Sequence, residues 1–253
     1  MFIDPKHSPK SERYYSRKRG IILVTNILIL LCLLAILLPQ LIKVFNNNFS
    51  SVSSPSGSEK YCSENYTDTH QQKLCSLSSS GANVNEISNS NIPKYGRKKF
   101  GKAWLDIDNN GCDTRNDILN RDLKKIRKIN CTVLLGELDD PYTGKNIKFQ
   151  RGKNSSVIQI DHIVALQNAW INGAWEWNKR KREEFANDPL NLIAVDGKSN
   201  QEKGSKDFAN WTPRNKTSLC SYAKRQITVK SKYGLKVTDE EKTALMNTLQ
   251  ECE

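Results

Sequence analysis

Residues 156–209 read SVIQIDHIVALQNAW, then a Trp- and charge-rich insertion, then DPLNLIAVDGKSNQEKGSKDFA, and this pattern leaves few ways to fold. Val157, Ile158 and Ile160 form a short β-branched run ending at Asp161 and His162, and residues 190–195 form a second. Each predicts a strand. The second run stops at Asp196 and Gly197, and Ser199 with Glu202 three residues on forms a capping box that starts a helix at about Asn200. The order is strand, long loop, strand, turn, helix. Polar residues fall at the joints: Asp161 and His162 where the first strand ends, Asn191 where the second begins, and Asn200 with Lys203 on one face of the first helical turn.

These residue types suit phosphodiester hydrolysis. Histidine takes a proton from water near neutral pH, so His162 is the candidate general base. A carboxylate and an amide oxygen are hard ligands for a Mg-like cation that keeps several waters, which assigns Asp161 and Asn200 to a metal that stabilises the departing oxygen. Asn191 is suited to holding a backbone or the imidazole, and Lys203 to meeting a non-bridging phosphate oxygen. Each residue also has a structural reading, as a satisfied pair, a turn residue or an exposed helical amide. Their spacing, with His162 the sole histidine after His70, favours the catalytic one.

The D-H-I-V, N-L and N-x-x-K elements, with Asn191 and Asn200 nine apart, resemble the ββα-metal core of HNH nucleases. More narrowly, residues 95–252 resemble the HNH family typified by the C-terminal part of GmrSD modification-dependent restriction endonucleases, through DTRNDILNRDL, DPYTGKNIKF, IDHIVAL, FANDPLNLIAV and NQEKGSKDFANW. The resemblance implies that Asp161 is the first metal ligand, His162 the general base, Asn191 the central Asn and Asn200 the last position of the motif. Many HNH enzymes have His at that last position; Asn here disfavours Zn. The resemblance further implies DNA rather than RNA as substrate, and 5'-phosphate products. The large N-terminal part of GmrSD enzymes has no counterpart in the chain, so nucleotide dependence and modified-base recognition are not carried over.

The formal charge of +12 divides unevenly along the 253 residues. Residues 1–20 carry six Lys/Arg against two Asp/Glu, residues 21–95 four of each, and the remainder 29 against 21. A basic folded part fits a polyanionic partner such as nucleic acid, and equally solubility or adhesion to an anionic surface. Residues 21–38 are apolar except for Thr25 and Asn26, nearly enough to span a bilayer core as a helix, and residues 41–45 extend the run past Pro39. No small-x-small cleavage site follows Leu38, which favours an uncleaved anchor over a signal peptide. Basic residues ahead of the span place the N-terminus in the cytoplasm and the rest outside. Residues 46–93, dominated by Asn and Ser, are expected to be a flexible tether. N-x-S/T triplets such as those at Asn65 and Asn210 matter only if the host glycosylates.

Six cysteines follow the apolar run, which contains Cys32. An even set on the outer side suits disulfides. Fifteen connectivities exist, and the expected one pairs neighbours: Cys62 with Cys75, Cys112 with Cys131, Cys220 with Cys252. Zinc lacks C-x-x-C spacing and spare histidines. Asp106, Asp108, Asn110 and Gly111 match the start of an EF-hand-type loop with Asp117 in place of the usual Glu; the alternative is an Asx-rich turn capping a helix over 115–126. Residues 133–138 and 146–149 predict a hairpin closed by DDPYTGK. Arg151 and Lys153 follow it as candidate phosphate contacts, as do Lys179, Arg180 and Arg182 of the insertion and Lys198 and Lys206 of the core helix region. Trp170, Trp175 and Trp177 are read as core, with base stacking the alternative. Two further helices, over 218–229 and 238–250, form a buttress.

The expectation is therefore an α+β fold: a ββα-metal core with an added hairpin and flanking helices. Ahead of it lie a basic tail at 1–20, a transmembrane helix at 21–45 and a linker at 46–93, and the nuclease domain occupies 94–253. The function expected is extracytoplasmic, metal-dependent endonucleolytic cleavage without strong sequence preference, using Mg or Mn, with Ca at a second site. The alternatives are a surface protein that binds nucleic acid without cutting, or a hydrolase of another phosphodiester polymer.

Overall fold

The computed structural model describes residues 62, 68–79, 81–82, 91–152 and 154–252. The basic tail, the apolar run, Lys153 and most of the Asn/Ser-rich stretch lie outside these residues. Among the described residues no helix is long and apolar enough to cross a membrane.

Helix α1, Thr69–Ser76, lies inside the stretch expected to be a flexible tether. The Asp68 carboxylate caps it, accepting from the amides of His70 at 2.7 Å and Gln71 at 3.0 Å. Leu74 and Leu77 are buried in a core shared with the C-terminal helices, and a disulfide joins Cys75 to Cys62. The tether reading fails here because two leucines and one bridge suffice to order a short helix that the average composition conceals.

Helix α2, Thr114–Asp122, is capped by Asp113, whose carboxylate accepts from Asn116 N at 2.8 Å. The sequence predicts this helix through Ile126. It stops at Asp122 because that carboxylate accepts from Ala194 N at 2.8 Å, fixing the helix end against a later strand, while Leu123 turns extended. Strand β1, Lys124–Ile129, follows and pairs antiparallel with β2, Thr132–Asp139, which pairs antiparallel with β3, Asn146–Gln150. The predicted hairpin is thus two strands of a three-stranded sheet. A disulfide between Cys112 and Cys131 ties the start of α2 to the turn between β1 and β2.

Strand β4, Ile158–His162, pairs antiparallel with β5, Leu192–Asp196, in a separate two-stranded sheet. Between them come α3, Leu166–Ile171, and α4, Lys179–Asn187. Side chains of a strand alternate between two faces. Ile158, Ile160, Leu192 and Ala194 go into a core with α2 and the first sheet, and Gln159 and Asp161 take the other face. Two arginines hold the chain entering β5: Arg121 donates to the carbonyls of Pro189 and Leu192, and Arg225 to those of Leu190 and Leu192.

Helix α5, Gly197–Lys203, follows at once. Its cap is Asp196, which accepts from the backbone N and Oγ of Ser199, both at 2.8 Å; the Ser199 to Glu202 capping box does not form. Gly197 is needed because a Cβ there would lie 2.3 Å from the Ser156 carbonyl. Helices α6, Leu219–Tyr233, and α7, Asp239–Gln250, complete the fold, with Thr238 accepting from Glu241 N at 3.1 Å and a disulfide joining Cys220 to Cys252. The architecture is α+β, with seven α-helices and two small sheets among the described residues. All three disulfides follow the neighbour pairing expected.

Glu241 does not reach back to complete its own cap. It pairs with Lys230 at 2.8 Å, both side chains being wholly buried, and Asn168 Oδ1 accepts from the same ammonium at 3.2 Å. Removing one partner strands a buried charge, so Glu241→Ala is expected to lower unfolding free energy in urea by about 3–5 kcal/mol. Lys230→Met combined with Glu241→Leu is expected to recover most of that loss.

Candidate functional site

Asn200 and Lys203 are three apart on α5, and Gln159 and Asp161 are two apart on β4. Helical and strand periods bring these pairs into register. Asn200 Nδ2 donates to Gln159 Oε1 at 2.8 Å, and Lys203 Nζ meets Asp161 Oδ1 at 3.1 Å and Oδ2 at 3.0 Å. Lys203 also donates to the His162 carbonyl at 2.9 Å and is fully buried. The expectation that Lys203 meets substrate phosphate is corrected: its ammonium is committed inside the protein, because an unpaired buried cation would be far costlier.

Asp161 has a second partner that the sequence reading missed. Tyr142, in the turn between β2 and β3, donates its hydroxyl to Asp161 Oδ2 at 2.6 Å. Its ring is buried edge-on against Trp211 and Tyr222. A tyrosine in a Pro/Gly turn would ordinarily face solvent; the only sequence signal was its place between two turn-formers. Burial pushes the Asp161 carboxyl up, against the opposing pull of Lys203 and Tyr142.

His162 Nε2 lies 2.9 Å from the Ala186 carbonyl. A carbonyl only accepts, so Nε2 carries the proton and Nδ1 is left as the acceptor nitrogen. Burial pushes the imidazole down to about 3, and the positive charges of Arg97 and Lys203 act in the same direction. The ring is therefore neutral at physiological pH. Asn191, completely buried, holds the chain beyond it: its Oδ1 accepts from Val164 N at 2.9 Å, its Nδ2 donates to the Val164 carbonyl at 3.3 Å, and its own carbonyl accepts from Ile163 N at 2.7 Å.

Asp161, His162 and Asn200 line one pocket of roughly 460 Å³, with Gln159, Tyr95 and Arg97 among its other walls. A larger pocket of roughly 600 Å³, between Ile107, Arg180, Lys181 and Lys232, contains none of the three. The chemistry selects the smaller one. Among the described residues no group of three His, Cys, Asp or Glu side chains is placed to hold a metal ion. Asp161 and Asn200 supply one carboxylate and one amide oxygen, a hard donor set that fits a cation keeping most of its shell as water. The Asn200 amide nitrogen is used on Gln159, which leaves its oxygen as the atom available to a cation.

The predicted phosphate contacts are mostly occupied elsewhere, and none of those among the described residues lines the His162 pocket. Arg151 braces Val133 O and Asn116 Oδ1, Arg182 bonds the carbonyls of Lys99 and Trp177, and Lys206 bonds that of Glu202. Lys179 and Arg180 pair with Glu183 and Glu184 along α4, while Lys198 is exposed. Trp170 is buried and donates to the Pro93 carbonyl, and Trp177 packs on Phe185 and Tyr233, so both serve the core. In the Asp-rich loop, Asn110 turns inward: its amide N bonds Asp106 and Asp108, and its Nδ2 bonds Asp108 and Asp117. Burial and the charges of Asp108, Asp106 and Asp113 push the Asp117 carboxyl up. The expected calcium ligands are thus gathered in one turn, bridged by that asparagine.

The model of the GmrSD restriction endonuclease C-terminal domain matches residues 112–248. The chain belongs to this family. The match spans α2 through most of α7 and includes every residue of the Asp161, His162, Asn191, Asn200 set. An uncharacterized secreted protein of Arthroderma benhamiae is 38% identical over 161 residues, 62% of this chain and 76% of that protein. No solved structure matches the chain.

Tyr142→Phe deletes the hydroxyl and keeps the ring, so it isolates the bond to Asp161. It is expected to cost about 1.5–3 kcal/mol in urea unfolding, the usual range for a hydrogen bond to a charged group. In an Asp161→Asn background the same substitution is expected to cost measurably less.

Proposed function

We propose that this member of the GmrSD C-terminal family is a metal-dependent endonuclease that cleaves DNA outside the cell, with His162 as general base. The observation that carries the reading is the bond from His162 Nε2 to the Ala186 carbonyl. It leaves Nδ1 unprotonated, and His162 lines a pocket with Asp161 and Asn200. Nδ1 takes a proton from the attacking water, Asn191 keeps the chain after His162 from moving, and Lys203 with Tyr142 fixes the Asp161 carboxylate. A divalent cation held by Asp161 and Asn200, Mg first and Mn second, would supply positive charge at the phosphate and the departing oxygen. The three disulfides and the secreted relative support action in an oxidising, external compartment, with the apolar run at 21–45 as its anchor or removable leader.

One observation favours a second reading. Asp161 is already neutralised by a buried lysine, an arrangement that also suits a protein that binds nucleic acid without cutting it.

Oxidised full-length protein, incubated with supercoiled plasmid and Mg or Mn, is expected to nick and linearise it. EDTA is expected to stop the reaction and His162→Ala to slow it by about 10²–10⁴-fold, the range of a lost general base. Folded wild type that leaves plasmid, single-stranded DNA and RNA intact with every divalent metal would overturn the nuclease reading and make the binding protein the leading one.

A further inference from the structure

The pocket around His162 contains an uncompensated positive charge. Of the described residues lining it, Arg97 alone is cationic, while Gln159, Gln201 and Ser205 are neutral. The Asp161 carboxylate is offset by Lys203 beneath it. Arg97 is exposed and makes no hydrogen bond or ion pair with any described residue.

The turn that carries Arg97 is nonetheless firmly held. It is a single 3-10 turn, Arg97–Phe100. Phe100 is buried against Tyr95, Trp170 and Phe185. Lys99 Nζ donates to the Lys94 carbonyl at 2.8 Å and lies 4.4 Å from the centre of the Trp170 ring, and Arg182 donates to the Lys99 carbonyl at 2.8 Å. Two neighbouring cations are thus used to fix this turn, and the guanidinium of Arg97 holds no partner among the described residues. A planar fork of donors on a rigid base, next to a general base, matches the geometry of a phosphodiester oxygen pair.

We infer that Arg97 is the substrate-phosphate clamp of this site, gripping the nucleic-acid backbone beside the bond that His162 addresses. The inference rests on the nuclease reading above and names the cation that reading lacked. Arg97 lies in the basic run at 94–102, where neither periodicity nor spacing sets it apart from its neighbours.

The test separates binding from cleavage. In full-length His162→Ala protein, duplex DNA affinity is measured against NaCl concentration, alone and with Arg97→Ala, Arg97→Lys or Lys124→Ala. Lys124, on β1, pairs with Asp139 outside the pocket and controls for a general loss of charge. Arg97→Ala is expected to flatten the slope of log K against log salt by about 0.9, one phosphate contact. Arg97→Lys is expected to keep the slope, and Lys124→Ala to leave it unchanged. In the His162 protein, Arg97→Ala is expected to raise KM about tenfold or more. An unchanged slope with Arg97→Ala, or an equal flattening with Lys124→Ala, would overturn the clamp while leaving the nuclease reading intact. Flattening specific to Arg97, with no cleavage by the protein that retains His162, would sink the nuclease reading and keep the clamp. Failure to bind duplex even at low salt would overturn both.

Discussion

A lysine ammonium without solvent exposure survives only if its charge is met, and Lys203 is met by Asp161 and by the His162 carbonyl. That requirement locks helix α5 onto strand β4. Because Asp161 also accepts from Tyr142, the turn between β2 and β3 is drawn into the same assembly, and Tyr142 in turn packs on Tyr222 of α6. Four separately coded pieces of chain thereby converge on one carboxylate. His162 and Asn200 inherit their positions from this convergence, since His162 adjoins Asp161 and Asn200 lies one helical turn from Lys203.

The same convergence keeps the His162 imidazole unprotonated, at the expense of its strength as a base. An imidazole sunk among hydrocarbon and near two cations loses affinity for protons, which burial and the charges of Arg97 and Lys203 together bring about. Ring orientation then decides its usefulness, and the Ala186 carbonyl supplies it at the end of α4. The Trp- and charge-rich insertion between the two strands therefore does more than cover the core: it provides the acceptor that selects the tautomer.

Much of this was legible in the sequence because periodicity is a local property. The two strands of the core, the helix after them, the hairpin and the C-terminal helices all follow from residue spacing within a few positions of one another, whereas the disulfides, at separations of 13, 19 and 32, follow only the order of the cysteines along the chain. What stayed hidden depends on direction or on distant partners. Helical spacing puts Asn200 and Lys203 on one face but does not say whether that face looks outward, and it looks inward. Lys124–Ile129 is a strand although KKIRKI lacks apolar alternation, because pairing with β2 supplies what its side chains do not. Thr69–Ser76 is ordered by Leu74, Leu77 and a bridge to Cys62, features diluted by the Asn and Ser around them. Tyr142 was unreadable because the carboxylate it serves lies nineteen positions away.

Helix α1 packs with α6 and α7, and the Cys62–Cys75 and Cys220–Cys252 bridges close the chain at that same helical corner. None of these three helices contributes a wall to the pocket of Asp161 and His162. The Cys62–Cys75 bridge and the burial of Leu74 and Leu77 thus fix the start of the described fold to helices that line no wall of that pocket. A load applied at Cys62 would be met by one sulfur bridge and a buried helix before it reached the pocket, a strain relief of the kind a cable clamp gives to the contacts behind it.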